Sequence, residues 1–207
     1  MKALEKVLAA MSNSEKKLIL ASTSAYRREL LERLRIPFEV ISPEVDETPL
    51  PGESTLELAL RLAKAKAVAV AKHHPEAWVI GSDQVADLSG APIGKPGNFG
   101  RALAQLQLMR GATVTFHTAL CLMRGDVETT LSIPTQVTFR KLSDEVLEAY
   151  LHAEEPYDCA GSAKSEGLGI TLLESIRSDD PTALIGLPLI ALTGLLRDAG
   201  FVIPSKK

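Results

Sequence analysis

The apolar run Trp78-Val79-Ile80 passes through Gly81-Ser82 and delivers a carboxylate, Asp83, ahead of Gln84-Val85. Two of its three apolar residues are β-branched, which predicts a buried strand that opens at Gly81 and carries Asp83 just past its end. In α/β proteins that edge is where ligands sit. A carboxylate there can hold a divalent metal or take a proton from water. The plain alternative is a turn aspartate after a core strand. What favours chemistry is the set of basic and hydroxyl residues gathered at other element ends.

Ser22-Thr23-Ser24 follows the short apolar run Leu18–Ala21, and Ser24 is a good N-cap for a helix over 25–35. A strand, a small hydroxyl loop and a helix N-terminus make a common anion site, with free N–H groups and the positive helix end facing the ligand. Arg27 and Arg28 fall in the first helical turn, where a cation opposes the helix dipole. That local cost suggests they serve a phosphate, against the alternative of solvated surface arginines. Glu44, Asp46 and Glu47 form an acidic stretch that is ordinarily a solvated loop, and whose sharper reading puts one carboxylate beside a metal. Lys64 and Lys66 flank the apolar stripe of a long helix, a default place for snorkelling stems. Lys95 lies in the loop Ile93-Gly94-Lys95-Pro96, whose fixed backbone argues for a target. Tyr157–Gly169 holds Lys164, Glu166 and three glycines in a long loop of the kind that often carries function.

The elements that must position these groups alternate along the chain. Strands are expected at 18–21, 37–42, from 78 to the Asp83 end with 85–88 continuing extended beyond it, 114–122, 132–140 and 170–176, and helices at 25–35, 54–73, 99–110, 144–152 and from Pro188 onward. Ser54-Thr55-Leu56-Glu57 is a capping box, Asn98 and Ser143 are further caps, and the Gly125-Asp126 loop makes its flanking strands antiparallel. At 207 residues, 45% hydrophobic and 24% charged, the chain has ordinary globular composition for one domain or two closely joined lobes. Net charge of −3 argues against a nucleic-acid binder with a basic face, yet leaves room for a small anion in a local positive cluster. No stretch reaches membrane-spanning length, and residues 1–16 read as a helical or frayed extension. Cys121 and Cys159 stand outside any C-x-x-C, which reads as a reducing cytoplasm without a disulfide.

Ser22, Ser24, Arg27, Arg28, Lys66, Lys95 and Lys164, with the carboxylates Glu47, Asp83 and Glu166, suit a nucleoside triphosphate and a divalent cation. A G-x-x-x-x-G-K-[ST] loop, a kinase signature and a G-x-G-x-x-G after a strand are all missing. Leu20–Leu31, Val45-Asp46-Glu47, Arg61–Ala67, Gly81–Gln84, Gly94-Lys95-Pro96 and Gly186–Leu189 occur in that order. Together they resemble the Maf-type nucleoside triphosphate pyrophosphatases over about Lys17 to Phe201. The resemblance implies a single α/β domain over 17–203, with a mixed twisted sheet flanked by helices and two lobes around a cleft, of Maf/ITPase-like type. It implies hydrolysis of a nucleoside triphosphate to the monophosphate and pyrophosphate with a divalent metal, Mg2+ or Mn2+. Asp83 would be the general base or a metal ligand, and Glu47 would help with metal or water. Ser22, Arg27, Lys66 and Lys95 would hold phosphates. Ala25 departs from the family's usual proline, which loosens the loop without removing a functional group.

Tyr26, Gln84 and Glu166 stand where the 7-methyl-GTP branch of that family carries an aromatic residue, Gln and Glu; the dTTP/UTP branch has Arg, Thr and Gln instead. N7-methylation makes guanine a delocalised cation, which an aromatic face and a carboxylate favour and an arginine opposes. The alternatives are a dTTP/UTP enzyme of the same family, a nucleotide-binding regulator of cell division without turnover, and a cysteine hydrolase using Cys159 and His152. The expected partner is a free nucleotide rather than nucleic acid or membrane, and a homodimer is left open.

Overall fold

The computed structural model describes residues 16–204, so the expected extension over 1–16 lies, Lys16 apart, outside the described residues. Seven strands form one mixed sheet: β1 (Leu18–Ala21), β2 (Glu39–Ile41), β3 (Trp78–Leu88), β4 (Ala91–Ile93), β5 (Thr113–Arg124), β6 (Val127–Phe139) and β7 (Leu173–Ser178). Their order is β2-β1-β3-β5-β6-β7, with β4 paired to β3. β1 runs parallel to both β2 and β3, while the rest of the sheet is antiparallel. The helices are α1 (Ala25–Glu32), α2 (Thr55–Ala71), α3 (Phe99–Met109), α4 (Asp144–Glu154) and α5 (Leu189–Asp198).

The start signals work as their chemistry requires. Ser54 and Glu57 close the capping box on α2, and Ser24 and Asn98 accept the Arg27 and Arg101 amides on α1 and α3. Ser143 precedes α4 but makes no side-chain cap bond. The end of α1 differs from expectation: it stops at Glu32, and the chain turns through Arg35 at φ 53. The last strand also starts later than expected, because Leu168–Leu172 forms a 3-10 turn before β7.

Alternation along the long strands sorts the core. Ile19, Val79, Val85, Ala119 and Cys121 pack under α2 on one face. On the other, Leu18, Leu20, Ile80, Leu120 and Leu122 pack with α1 and α5, and farther along the same strands Ala86, Val114 and Phe116 pack with α3 and α4. Between these last two clusters the same face of the sheet carries the polar side chains Ser82, Gln84 and Thr118. Each fully buried leucine contributes roughly 1.5–3 kcal/mol.

One expectation about the central strand is corrected. β3 does not open at Gly81; it continues unbroken to Leu88, and Asp83 is a mid-strand residue. What ends at this level is the parallel neighbour: β1 stops at Ala21, opposite Gly81. Gly81 is required because α2 lies directly on it. A Cβ there would stand 2.1 Å from the Ala63 carbonyl oxygen and 2.7 Å from the Ala67 nitrogen.

Candidate active site

Where β1 ends, the chain turns into α1 and lines a cleft of about 970 Å³ with Ser22 to Arg27. The Ser22 hydroxyl accepts from the Ser24 amide at 3.1 Å, and the Ser24 hydroxyl accepts from Arg27 N at 3.4 Å. The first turn of α1 carries no acidic side chain, so its positive end is left for a ligand. Arg27 is half-buried and its Nε donates to the Gly186 carbonyl at 2.8 Å, which fixes the guanidinium beside the cleft. Burial lowers the Arg27 pKa, opposed by the charges of Asp83 and Glu47.

The close seating of α2 on Gly81 brings Lys66 to Asp83. Both are buried, and Lys66 Nζ lies 2.6 Å from Asp83 Oδ1. The same ammonium lies 2.6 Å from Glu47 Oε1, on the loop between β2 and α2. Lys66 is therefore no snorkelling surface lysine; it bridges two carboxylates. Partial burial pushes the Glu47 pKa up, but the Lys66 hydrogen bond and the charges of Lys66, Lys95 and Arg27 outweigh it, and the net direction is down. An ion pair this buried is costly to assemble and costlier to break, since removing one partner strands the other's charge. Among the described residues no three His, Cys, Asp or Glu side chains converge as a metal cage. Asp83 and Glu47 are a carboxylate pair of the kind a Mg2+-type ion uses when phosphate oxygens complete its shell, so the donor set fits one.

The opposite wall comes from the segment 156–172. The Tyr26 hydroxyl lies 3.4 Å from Asp158 Oδ2, and burial pushes its pKa up to about 12. Lys164 Nζ sits 5.9 Å from the Tyr26 ring centroid and 3.9 Å from Glu154 Oε1. Glu166 is exposed on the cleft and accepts from Ser165 Oγ at 3.3 Å. Cys159 is half-buried, and burial pushes its thiol up to about 11. His152 stacks on Phe99 at 4.7 Å between centroids, so neither group is set up as the nucleophile–base pair of a cysteine hydrolase.

Ser22, Ser24, Tyr26, Arg27, Glu47, Lys66, Asp83, Gln84, Lys95 and Glu166 all line this cleft. Two expected phosphate ligands do not. Arg28 points to solvent and pairs with Glu32 at 3.0 Å, and Lys164 lies against Tyr26 and Glu154 instead of the cleft surface. Gln84 turns its amide nitrogen to the Ala183 and Leu184 carbonyls, 3.0 Å from each, and to Thr118 Oγ1 at 2.9 Å. Two carbonyl acceptors require the nitrogen on that side. Sequence reasoning missed the ledge these bonds define. Ser82 Oγ donates to the Gly186 carbonyl at 3.0 Å, and the φ of 126 at Gly186 presents that carbonyl. Asp180, 2% exposed, accepts from Thr182 N, Ile190 N and Ala191 N and so anchors the ledge to α5. The available signal was the Asp180-Pro181-Thr182 spacing of an Asx turn, just ahead of Gly186-Leu187-Pro188.

The profile of the family described as Maf-like protein matches residues 17–199. A 7-methyl-GTP pyrophosphatase of Cupriavidus metallidurans is 64% identical over 192 residues, 92% of this chain and 96% of its own. A protein of the same name from Ralstonia nicotianae is 64% identical over 186 residues, covering 89% and 96%. Its namesake in Bordetella avium is 62% identical over 184 residues, covering 89% and 93%. Among solved structures, the Staphylococcus aureus Ham1 protein aligns with 67% of this chain and 100% of its own at a TM-score of 0.45 and 16% identity.

Proposed function

This chain belongs to the Maf-like protein family, and we propose that it hydrolyses 7-methyl-GTP to 7-methyl-GMP and pyrophosphate, as a single domain over 17–203. The observation that carries the reading is convergence: Asp83, Glu47 and Lys66 share one cleft with Tyr26, Gln84 and Glu166. Relatives at 62–64% identity that bear the name of this activity support it.

On this reading the triphosphate lies along the N-terminus of α1, held by Ser22, Ser24, Arg27 and Lys95. Asp83 orients the attacking water and takes its proton as the water adds in line to the α-phosphorus and the bond to pyrophosphate breaks. Lys66 bridges Asp83 and Glu47, and its hydrogen bond and charge help hold the Glu47 carboxyl down. A divalent ion, Mg2+ or Mn2+, when bound by Asp83, Glu47 and phosphate oxygens, would neutralise charge on the leaving group. Tyr26 offers a ring face and Glu166 a carboxylate to the cationic base, while Gln84 fixes the ledge at 183–186 against which the base rests. The reading keeps the enzyme in the cytoplasm, acting on free nucleotides, in keeping with two free cysteines. Among the described residues no helix is long and apolar enough to cross a membrane.

The test is a panel of 7-methyl-GTP, GTP, dTTP and UTP with phosphorus products identified. Pyrophosphate as the first product, fastest turnover of the methylated nucleotide and loss of activity in chelator are expected. Orthophosphate as the first product would overturn α-phosphorus attack. Preference for dTTP or UTP would overturn the base assignment alone, and tight binding without turnover would leave a regulator.

A further inference from the structure

Glu47 occupies an unsupported position. Residues 42–53 link β2 to α2 with neither helix nor strand, contain Pro43, Pro49 and Pro51, and are mostly exposed. The Glu47 side chain itself is 60% exposed, yet it meets Lys66 at 2.6 Å. An exposed glutamate on an irregular loop would ordinarily sample many rotamers and lose such a contact to water. Something else must hold the loop.

Among the described residues, Lys66 and Arg61 are the side chains outside this segment that hydrogen-bond or ion-pair with it. Arg61 makes three contacts: Nη2 donates to the Thr48 carbonyl at 3.0 Å, and Nε and Nη2 fork onto the two Glu53 oxygens at 2.6 and 2.9 Å. Glu53 accepts from the Leu50 amide at 3.0 Å, and Thr48 N donates to Asp46 Oδ1 at 2.9 Å. The fork grips both ends of the turn that follows Glu47. It also holds the Glu53 carboxyl down to about 2, so the latch is charged throughout the working pH range. Arg61 and Lys66 are five residues apart on α2, about 140° around its axis, and so take the loop from two directions.

We propose that Arg61 is a positioning residue whose fork onto Glu53 and Thr48 holds Glu47 in register with Lys66 and Asp83. The inference rests on the role given to Glu47 above. Arg61 does not line the cleft; its charge also attracts Asp83, an effect that Arg61→Lys would keep, so a loss shared by Arg61→Gln and Arg61→Lys runs through the loop. Lysine cannot replace it, because a single ammonium cannot span two carboxylate oxygens and a carbonyl in this geometry.

The experiment is a double-mutant cycle on Arg61→Gln and Glu47→Gln, with Arg61→Lys alongside and hydrogen exchange followed at residues 46–50. Arg61→Gln is expected to lower kcat by about tenfold with KM changed less than about twofold, as for a misplaced catalytic group. Arg61→Lys should fall with it. The double variant should be no slower than Glu47→Gln alone, and exchange at 46–50 should rise in both Arg61 variants at unchanged Tm. A double variant slowed by the product of the single losses, or wild-type kcat in Arg61→Gln beside a slow Glu47→Gln, would overturn the inference and leave the proposed function standing. If Glu47→Gln itself turns over like wild type, the role of Glu47 fails; unchanged exchange at 46–50 in Arg61→Gln would then still refute the latch.

Discussion

The two walls of the cleft are built to different tolerances. The wall from β1, α1, β3 and α2 brings Lys66 and Asp83 together at 2.6 Å under burial, with a helix seated on a glycine to make the distance. The wall from 156–172 is irregular and half-exposed; it is tied down behind the cleft, where Ser162 Oγ donates to Gln105 Oε1 at 2.6 Å. Its cleft-lining Asp158 and Glu166, however, make polar contacts at 3.3–3.4 Å, and a lysine lies 5.9 Å from the Tyr26 ring. Phosphoryl chemistry gains from groups that need no reorganisation, because the charge they stabilise develops in one place. A base pocket tolerates looser contacts, since its task is a difference in affinity between rings. Rigid wall for reaction, adaptable wall for choice, is the division the geometry supports.

The sharpest way to break that division is Asp83→Asn. It preserves shape and should lower kcat roughly a hundredfold or more while nucleotide binding persists, in line with general-base contributions. Isothermal titration with a non-hydrolysable analogue, beside single-turnover kinetics, separates the two; near-wild-type turnover would move the base, with Glu47 the next suspect. Gly81→Ala tests the seating itself. Its Cβ would meet backbone of α2 at 2.1 Å, which no rotamer change relieves. We expect a stability loss of about 1–3 kcal/mol by denaturant titration, with a further fall in kcat as α2 is pushed off Asp83. An unchanged midpoint would mean that the helix has room to move.

Much of the rigid wall was legible from sequence, because its signals are local. The Ser54/Glu57 capping box, the Ser24 cap and the Asn98 cap each announce a helix start within four residues. Asp83 and Lys95 stood out for the same reason. Gly81 was misread as an opening because a glycine required by a neighbouring helix looks, along the chain, like a glycine required by a turn. Lys66 sat at the edge of an apolar stripe, where surface lysines also sit, and only the tertiary approach of α2 to β3 buries it. The carbonyl ledge at 183–186 shows along the chain only as the Asx turn at Asp180, for a related reason: backbone acceptors carry no side-chain signature, and Gln84, Ser82 and Arg27 reach them across about 100 residues or more.

Tyr26 stands on α1 but turns its hydroxyl and ring to Asp158 and Lys164 of the adaptable wall, and Tyr26→Arg should act on choice more than on rate. It removes the ring face and adds a like charge opposite a cationic base, an interaction of roughly 0.5–2 kcal/mol, so the ratio of kcat/KM for 7-methyl-GTP over GTP should fall about two- to thirtyfold. Glu166→Gln is the less clean companion, because that carboxylate can also accept from the N1–H and amino group of unmodified guanine. An unmoved ratio in Tyr26→Arg would detach base choice from this wall. The ring already has Lys164 5.9 Å from its centroid, so part of its attraction for cations is engaged before substrate arrives, which favours the lower part of that range.

The smallest expected effect belongs to Cys159→Ser, and it sharpens the division from the other side. If the adaptable wall performs no chemistry, its one thiol is dispensable to turnover. Burial holds that thiol at about 11, and Asp158 beside it, with Sγ 3.4 Å from Oδ1, discourages a second negative charge. At pH 8 only about one thiol in a thousand would be ionised, against about a quarter for an ordinary cysteine. Serine keeps a hydroxyl donor in place of the thiol and alters only the sulfur contacts to Asp158 Oδ1 at 3.4 Å and to the Tyr26 hydroxyl at 3.9 Å. Its kcat for 7-methyl-GTP should stay within about twofold of wild type, and the wild-type rate should show no ascending limb between pH 7 and 9 that the variant lacks. Alkylation by iodoacetamide should be correspondingly slow, rising tenfold per pH unit until about pH 11. A loss of tenfold or more in Cys159→Ser, with the fold intact by circular dichroism, would put a nucleophile on the wall assigned to choice.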